Sequence, residues 1–160
     1  MDISFDIHNN EGDHIRVALS YYDIETLSLF TSDPSTLCLT FYDITLIRMA
    51  GTNYVGYRVL STVSDILARF LDENPDAVLC YYCDDKTDIK TSHNNFLPQE
   101  YRSKLFSRMF DSYMKSHNRN DFIDHRIEVF VDGQPKFAHF ICRSEHIYSV
   151  SIIGDQLLSK

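Results

Sequence analysis

The chain contains no tryptophan and is poor in glycine and proline, with five and four residues of these types among 160. So few glycines leave no glycine-rich loop of the kind that cradles phosphates, and they predict few tight turns. No apolar run approaches the roughly 18 residues of a membrane-spanning helix. The segment Met1–Ser4 lacks the basic and apolar regions of a signal peptide. We therefore expect a soluble, cytoplasmic protein with no membrane association.

Apolar residues are present in ordinary amounts for a folded protein. The hydrophobic content is 44%, and ten tyrosines and eleven phenylalanines supply the aromatic packing. This content excludes disorder as the main state. A chain of this length buries roughly two-thirds of its unfolded surface in a single core. We therefore expect a single domain that spans residues 1–160.

Positive charge is scarce except in one strip of the chain. The formal net charge is −8. Residues 1–85 carry 14 acidic and 4 basic side chains, whereas residues 86–119 carry 3 acidic and 7 basic ones. Because neutralisation of phosphates dominates the affinity for nucleic acids, an acidic chain predicts no general nucleic-acid binding. This charge favours a protein partner that is itself basic.

The pattern of apolar residues predicts an α+β domain with a mainly antiparallel β-sheet and two helices packed on one face. Alternating apolar residues predict a β-hairpin over residues 2–8 and 14–22. A further strand is expected over residues 37–46, with a change of phase at Phe41-Tyr42 that indicates a bulge or a bend in a long strand. A short strand is expected at residues 54–57.

Signals at helix and turn positions divide the rest of the chain. Thr62 and Asp65 resemble a capping box at the start of the first helix. Pro98 suits the first position of the second helix. Asp132-Gly133 predicts a tight hairpin turn. His146–Ile153 is expected to form the last strand.

An apolar run, Ala77–Cys83, ends in Asp84 and Asp85 and predicts a strand that is buried on both faces. In the second helix, Arg102 lies within the apolar stripe, and an unpaired buried guanidinium costs several kcal/mol. We therefore expect a structural ion pair between Arg102 and Asp84 or Asp85. A ligand or catalytic site built on the same residues is the sharper alternative. In a third interpretation Arg102 extends along the surface into water.

The four cysteines are expected to be free thiols, because a cytoplasmic compartment is reducing. Cys80 and Cys83 have Cys-x-x-Cys spacing, but an offset of three along a strand points them to opposite faces. Together with Cys142 and His146 they form a weak candidate set for a zinc ion. Core cysteines are the preferred interpretation, and no cofactor is expected.

The histidines suggest no catalytic set from spacing alone. Arg119-Asn120 and His125 match the spacing of a helical ribonuclease family, but strand periodicity follows at once, so we interpret the match as coincidence. His139 is expected near Glu128 or its neighbour, depending on the length of the turn, as ordinary cross-strand pairing. Spacing alone assembles no Ser-His-Asp or Cys-His set.

Cys83-Asp84 ends an apolar run, and the pattern Arg102-Ser103-Lys104-Leu105-Phe106 follows in the second helix. On these residues, the span 74–110 resembles an uncharacterised family of small cytoplasmic proteins from Bacteroidetes-type bacteria. The chain departs from the family pattern at Met109, where an aromatic residue is frequent, and in its longer intervening loop. The resemblance implies a shared α+β fold, no established activity, and a family-level role for Asp84 and Arg102.

The sequence favours a non-enzymatic, acidic protein-interaction module, such as an antitoxin-like, immunity-like or defence-associated partner. The alternative is a small metal-dependent nuclease or hydrolase centred on Asp84, Asp85 and Arg102, with Lys86 and His93 contributing. The nuclease interpretation is weakened because the carboxylates of such enzymes usually lie on adjacent strands, whereas here they follow one strand. A zinc-stabilised domain is the third hypothesis.

Overall fold

A computed structural model of the chain describes residues 2–21, 38–52, 56–83 and 97–158. The described residues form six strands, three α-helices and one 3₁₀ turn, which confirms the predicted α+β class. In chain order these are β1 Ile3–His8, β2 His14–Tyr21, β3 Thr40–Ala50, α1 Tyr57–Glu73, β4 Ala77–Cys83, α2 Pro98–Ser116, β5 Phe122–Val131, β6 Gln134–Arg143, the 3₁₀ turn Ser144–His146 and α3 Ile147–Leu158.

The six strands form one sheet in the order β1-β2-β3-β4-β6-β5. β3 and β4 run parallel, because α1 connects them as a crossover. The other neighbouring strands are antiparallel, so the sheet is mainly antiparallel as predicted. Among the described strands, β1 and β5 lie at the two edges.

The two predicted helices, α1 and α2, cover one face of the sheet, which we call the α1/α2 face. Val17, Leu19 and Leu79 are completely buried there. The apolar stripe of α1, which includes Leu71, packs on these side chains, and Phe106 of α2 extends the same core.

The segment predicted as the last strand is instead the helix α3. It packs on the opposite face of the sheet, the α3 face, where Val150 is completely buried in a second cluster with Phe41, Val78 and Cys142. A short apolar run fits the periods of a strand and of a helix equally well, and here tertiary packing selects the helix. The two predicted helices therefore lie on one face as expected, and a third helix, which the prediction lacks, covers the other face. None of the described helices, α3 included, is long and apolar enough to cross a membrane.

Helix α1 begins more than one turn before the predicted cap at Thr62. It starts at Tyr57 after Gly56, so Thr62 lies inside the helix, where its hydroxyl donates to the carbonyl oxygen of Arg58 instead of capping the first turn. Tyr57 therefore does not belong to a strand, and residues 53–55 of the predicted short strand lie outside the described residues. Pro98 opens α2 as predicted.

The bulge predicted at Phe41-Tyr42 is wrong. β3 pairs with β2 in unbroken register from Tyr42 to Arg48. The burial pattern changes because the strand is covered on both faces here. Phe41 contacts the cluster under α3, whereas Tyr42 and Ile44 contact the cluster under α1 and α2.

Candidate functional site

The predicted ion pair between Asp84 and Arg102 lies partly outside the described residues. Asp84 and Asp85 fall within residues 84–96, as do Lys86 and His93, and the structure does not describe this range. Arg102 lies in the second turn of α2, and its side chain is half-buried. The ion pair and the catalytic alternative that rests on it therefore stay predictions.

A hydrogen-bonded Ser-His-Asp relay lies next to Arg102 in the chain. Ser103 Oγ is 2.7 Å from Nε2 of His139. On the other side of the ring, Nδ1 of His139 is 2.9 and 3.0 Å from the two carboxylate oxygens of Asp124. Because an ionised carboxylate only accepts, Nδ1 carries a hydrogen, and in the tautomer with its single hydrogen on Nδ1 the Nε2 atom accepts from the Ser103 hydroxyl. This is the hydrogen-bond order of a catalytic triad.

Three elements position the relay. Asp124 on β5 pairs with Ile141, and His139 on β6 pairs with Arg126, so Asp124 and His139 are diagonal neighbours on the α1/α2 face. The two-residue turn of the hairpin sets this register, so Arg126 lies directly opposite His139, and Glu128, near which His139 was expected, is a diagonal neighbour. Ser103 reaches the ring from the buried side of α2.

The relay has the distances of a triad but no access to substrate. Ser103 and His139 are 0% exposed, and the side chain of Asp124 is 9% exposed. A nucleophilic serine must reach its substrate, and the oxyanion that forms needs nearby N–H donors. Ser103 lies inside α2, where backbone N–H groups are bonded along the helix. The arrangement therefore serves as a buried polar connection between α2 and the β5–β6 hairpin.

Sequence reasoning missed the relay because its members are far apart along the chain. Ser103 and His139 are 36 positions apart, and Asp124 and His139 are 15 apart. A signal was nevertheless present. Ser103 and His139 are polar residues at positions where the apolar period predicts a buried side chain, and buried polar groups require partners. Asp124 gave no such signal, because it shares its face of β5 with Arg126 and Glu128.

A fluorophosphonate probe for active-site serines is expected to leave Ser103 unmodified in the folded protein, because the hydroxyl is sealed in the core. Intact mass spectrometry checks this, with a known serine hydrolase labelled in the same tube as a positive control. Stoichiometric labelling that disappears in Ser103→Ala would contradict the structural interpretation and establish a catalytic serine.

The weak zinc candidates do not converge. Cys80 and Cys142 contact the cluster on the α3 face, whereas Cys83 is completely buried on the other side of the sheet, as its strand offset predicts. His146 Nε2 lies 3.0 Å from the carbonyl oxygen of Pro75. Within the described residues, no group of three or more His, Cys, Asp or Glu side chains is arranged to hold a metal ion. Burial raises the pKa of Cys142 to about 11, so this thiol stays protonated and is a poor nucleophile.

Arg119, from the ribonuclease-like pattern, lies in the turn between α2 and β5 and not on a helix. Its guanidinium donates to both carboxylate oxygens of Asp72 at 2.7 and 3.0 Å, and to both of Asp121 at the same distances. These bonds hold the pKa of both carboxyl groups below the usual value. The arginine therefore clamps the end of α1 to the start of β5, and His125 lies in that strand without sharing the clamp.

A groove with a volume of about 260 Å³ runs between α1 and α2. Its lining includes Tyr57, Leu105, Arg108, Met109 and Tyr113. Tyrosine, methionine and arginine are enriched at the centres of protein interfaces. The volume lies just below the roughly 300–1,000 Å³ of typical small-molecule sites. The groove is thus suited to one or two side chains that a partner protein inserts.

Comparison of the chain with protein-family models, with curated proteins and with solved structures finds no match. The resemblance of residues 74–110 to a family of small bacterial proteins therefore stays a prediction.

Proposed function

We propose that this chain is a non-enzymatic protein-interaction module whose partner is a basic protein. The observation that carries the proposal is the groove between α1 and α2. Tyr57 stands at its lip with 74% of its surface exposed, and Met109 and Tyr113 lie partly buried in its wall. A partner that inserts an apolar side chain beside Met109 covers the exposed ring of Tyr57 and removes both from water.

The net charge of the whole chain supports a basic partner, whereas the groove itself is lined, among the described residues, by Arg108 and by no acidic side chain. In the N-terminal strands, Arg16 donates to both carboxylate oxygens of Asp6 at 2.8 and 3.3 Å, and Arg48 lies 3.1 Å from Asp13. Each of these ion pairs has no net charge, so the acidic residues outside them carry the net negative charge of the chain. A net charge of −8 attracts a basic protein over the Debye length and accelerates its association.

The sealed relay supports a role without catalysis. It is the arrangement among the described residues with the geometry of a catalytic set, and its serine and histidine have no exposed surface. An antitoxin-like, immunity-like or defence-associated partner needs only a stable framework and a docking surface. The buried relay contributes to the stable framework.

Tyr57→Ser is expected to weaken binding of the partner at least tenfold, because it removes the exposed aromatic ring that the docked partner would bury. Tyr148→Ser is the matched control. Tyr148 is 71% exposed, but it lies on α3 at the opposite face of the sheet. The partner is captured from the native host with the wild-type chain, identified, purified and titrated against the three proteins by calorimetry at low and high salt.

The expected partner is a basic protein whose affinity falls at high salt and is unchanged by Tyr148→Ser. Recovery of no protein from the host, or of an acidic one, contradicts the proposal. Equal losses in the two tyrosine variants would show that the groove is not the docking surface.

A further inference from the structure

The outer edge of β5 carries a charge pattern that complements itself. β5 is ten residues long, and among the described strands it pairs only with β6. Near its end, Phe130 is 71% exposed and Val131 is 45% exposed. A long edge with exposed apolar side chains is open to pairing with another strand. We propose that its partner is β5 of a second copy, which joins two six-stranded sheets into a two-fold symmetric dimer.

The hairpin turn determines which groups β5 offers at this edge. Asp132 and Gly133 have φ values of 52° and 75°, as a type I′ turn requires. The hydrogen bond of this turn makes Val131 and Gln134 a hydrogen-bonded pair, and such pairs alternate along an antiparallel ladder. The odd-numbered residues of β5 therefore bond to β6. The even-numbered residues from Asp124 to Phe130 direct their N–H and C=O groups outward.

Only registers that bring even-numbered residues opposite one another complete the new ladder, and charge distinguishes these registers. With Ile127 on the two-fold axis, Arg126 of each copy faces Glu128 of the other. With Arg126 on the axis, two arginines meet and Asp124 faces Glu128. With Glu128 on the axis, two glutamates meet. The Ile127-centred register thus forms two opposite-charge pairs, whereas the registers centred on Arg126 and on Glu128 form like-charge pairs.

A fourth register places His125 on the axis and sets Asp124 opposite Arg126. It leaves Val129, Phe130 and Val131 beyond the overlap, so the exposed apolar end of the strand stays in water. It also requires the Asp124 carboxylate, which the buried His139 already holds at 2.9 Å. The Ile127-centred register covers the apolar end of the strand and does not need the Asp124 carboxylate, so it is favoured over the His125-centred one.

The same register matches apolar residues on the α3 face. The two Ile127 side chains meet at the axis, and Ile123 of each copy faces Val131 of the other. His125 lies opposite Val129. Cross-strand pairs of β-branched residues are among the favourable pairs in antiparallel sheets. The inferred dimer uses the sheet edge and leaves the helical groove free, so it goes beyond the proposed function.

A charge-swap experiment tests the dimer and its register. Sedimentation equilibrium is expected to show a dimer for purified wild-type protein at about 100 µM. Arg126→Glu places a glutamate of each copy opposite Glu128 of the other copy. Glu128→Arg places an arginine of each copy opposite Arg126 of the other. Each single variant is therefore expected to weaken dimerisation at least tenfold. The double variant Arg126→Glu/Glu128→Arg restores both opposite-charge pairs and is expected to recover the dimer. Both side chains are exposed, but Arg126 also stacks on the Phe137 ring at 4.5 Å, so circular dichroism and urea denaturation check that each variant is folded.

Three results would overturn the inference: a monomeric wild type at this concentration, single variants that dimerise as the wild type does, or a double variant that stays monomeric. The measurement uses the purified chain without any other protein. Its outcome is therefore independent of whether a basic partner docks in the groove.

Discussion

His139→Leu is expected to lower the free energy of unfolding by about 3–5 kcal/mol. Leucine fills a similar volume, so the loss comes from the broken relay and not from a cavity. Without the imidazole, the hydrogen bond that the Asp124 carboxylate keeps among the described residues is from the Ser107 hydroxyl at 3.4 Å, in a site where its side chain is 9% exposed. Ser103 loses its partner as well. Urea denaturation, with the midpoint and the slope fitted separately, measures the change.

Two further variants separate the parts of the relay. Ser103→Ala leaves the His139–Asp124 pair intact and is expected to cost about 1–2 kcal/mol, the penalty of one unsatisfied buried nitrogen. The double variant Asp124→Leu/His139→Leu removes the stranded carboxylate and is expected to cost less than the sum of its single variants. A loss below about 1 kcal/mol in His139→Leu would contradict the interpretation that the relay stabilises the fold.

The relay also bears on the proposed docking surface, because it fixes the helix that forms one wall of the groove. Ser103 lies on the side of α2 that faces the hairpin, while Leu105 and Met109 line the groove. One turn before Ser103, Gln99 is buried and donates to the carbonyl oxygen of Pro135 at 3.1 Å. Two polar contacts thus hold the first turns of α2 against the β5–β6 hairpin. The position of the groove depends on contacts made at the back of the helix.

The elements that could be predicted from the sequence are those with strong local signals. Pro98 begins α2 because a proline at the first helical position loses no hydrogen bond. Asp132-Gly133 forms the predicted turn because both residues tolerate a positive φ. The segment His146–Ile153 had no such signal, so its helix is decided by packing of Val150 against the α3 face, which the sequence does not display.

The candidate site could be predicted only in part, for a similar reason. Periodicity identified a polar residue within the apolar stripe of α2 and thus the correct turn of the helix. It singled out Arg102, whereas the buried connection in the described residues passes through its neighbour Ser103. A serine in an apolar stripe is a weaker signal than an arginine, because burying a hydroxyl costs far less than burying a charge. Its partners on β5 and β6 become neighbours only when the sheet assembles.

Gly51→Ala is expected to lower the free energy of unfolding by about 3 kcal/mol, from backbone strain and a steric clash together. Gly51 has a φ of +91°, which an alanine adopts only with strain. An added Cβ would overlap Asp13 Oδ1 and approach Asp13 Cα to 2.8 Å. Asp13 is buried and cannot retreat without cost, because it accepts hydrogen bonds from Asn9 at 2.9 Å and Arg48 at 3.1 Å.

Gly12→Ala provides the matched control for this clash. Gly12 has nearly the same φ, +85°, but an added Cβ there meets nothing within 4 Å. Gly12→Ala is therefore expected to lower the free energy of unfolding by about 1 kcal/mol, which is the cost of the positive φ without a steric clash. The difference between the two variants, measured by urea denaturation under the same conditions, isolates the contact between Gly51 and Asp13. Equal losses would show that the Asp13 side chain and its strand move aside freely, and the close approach of these two segments would then contribute nothing to stability.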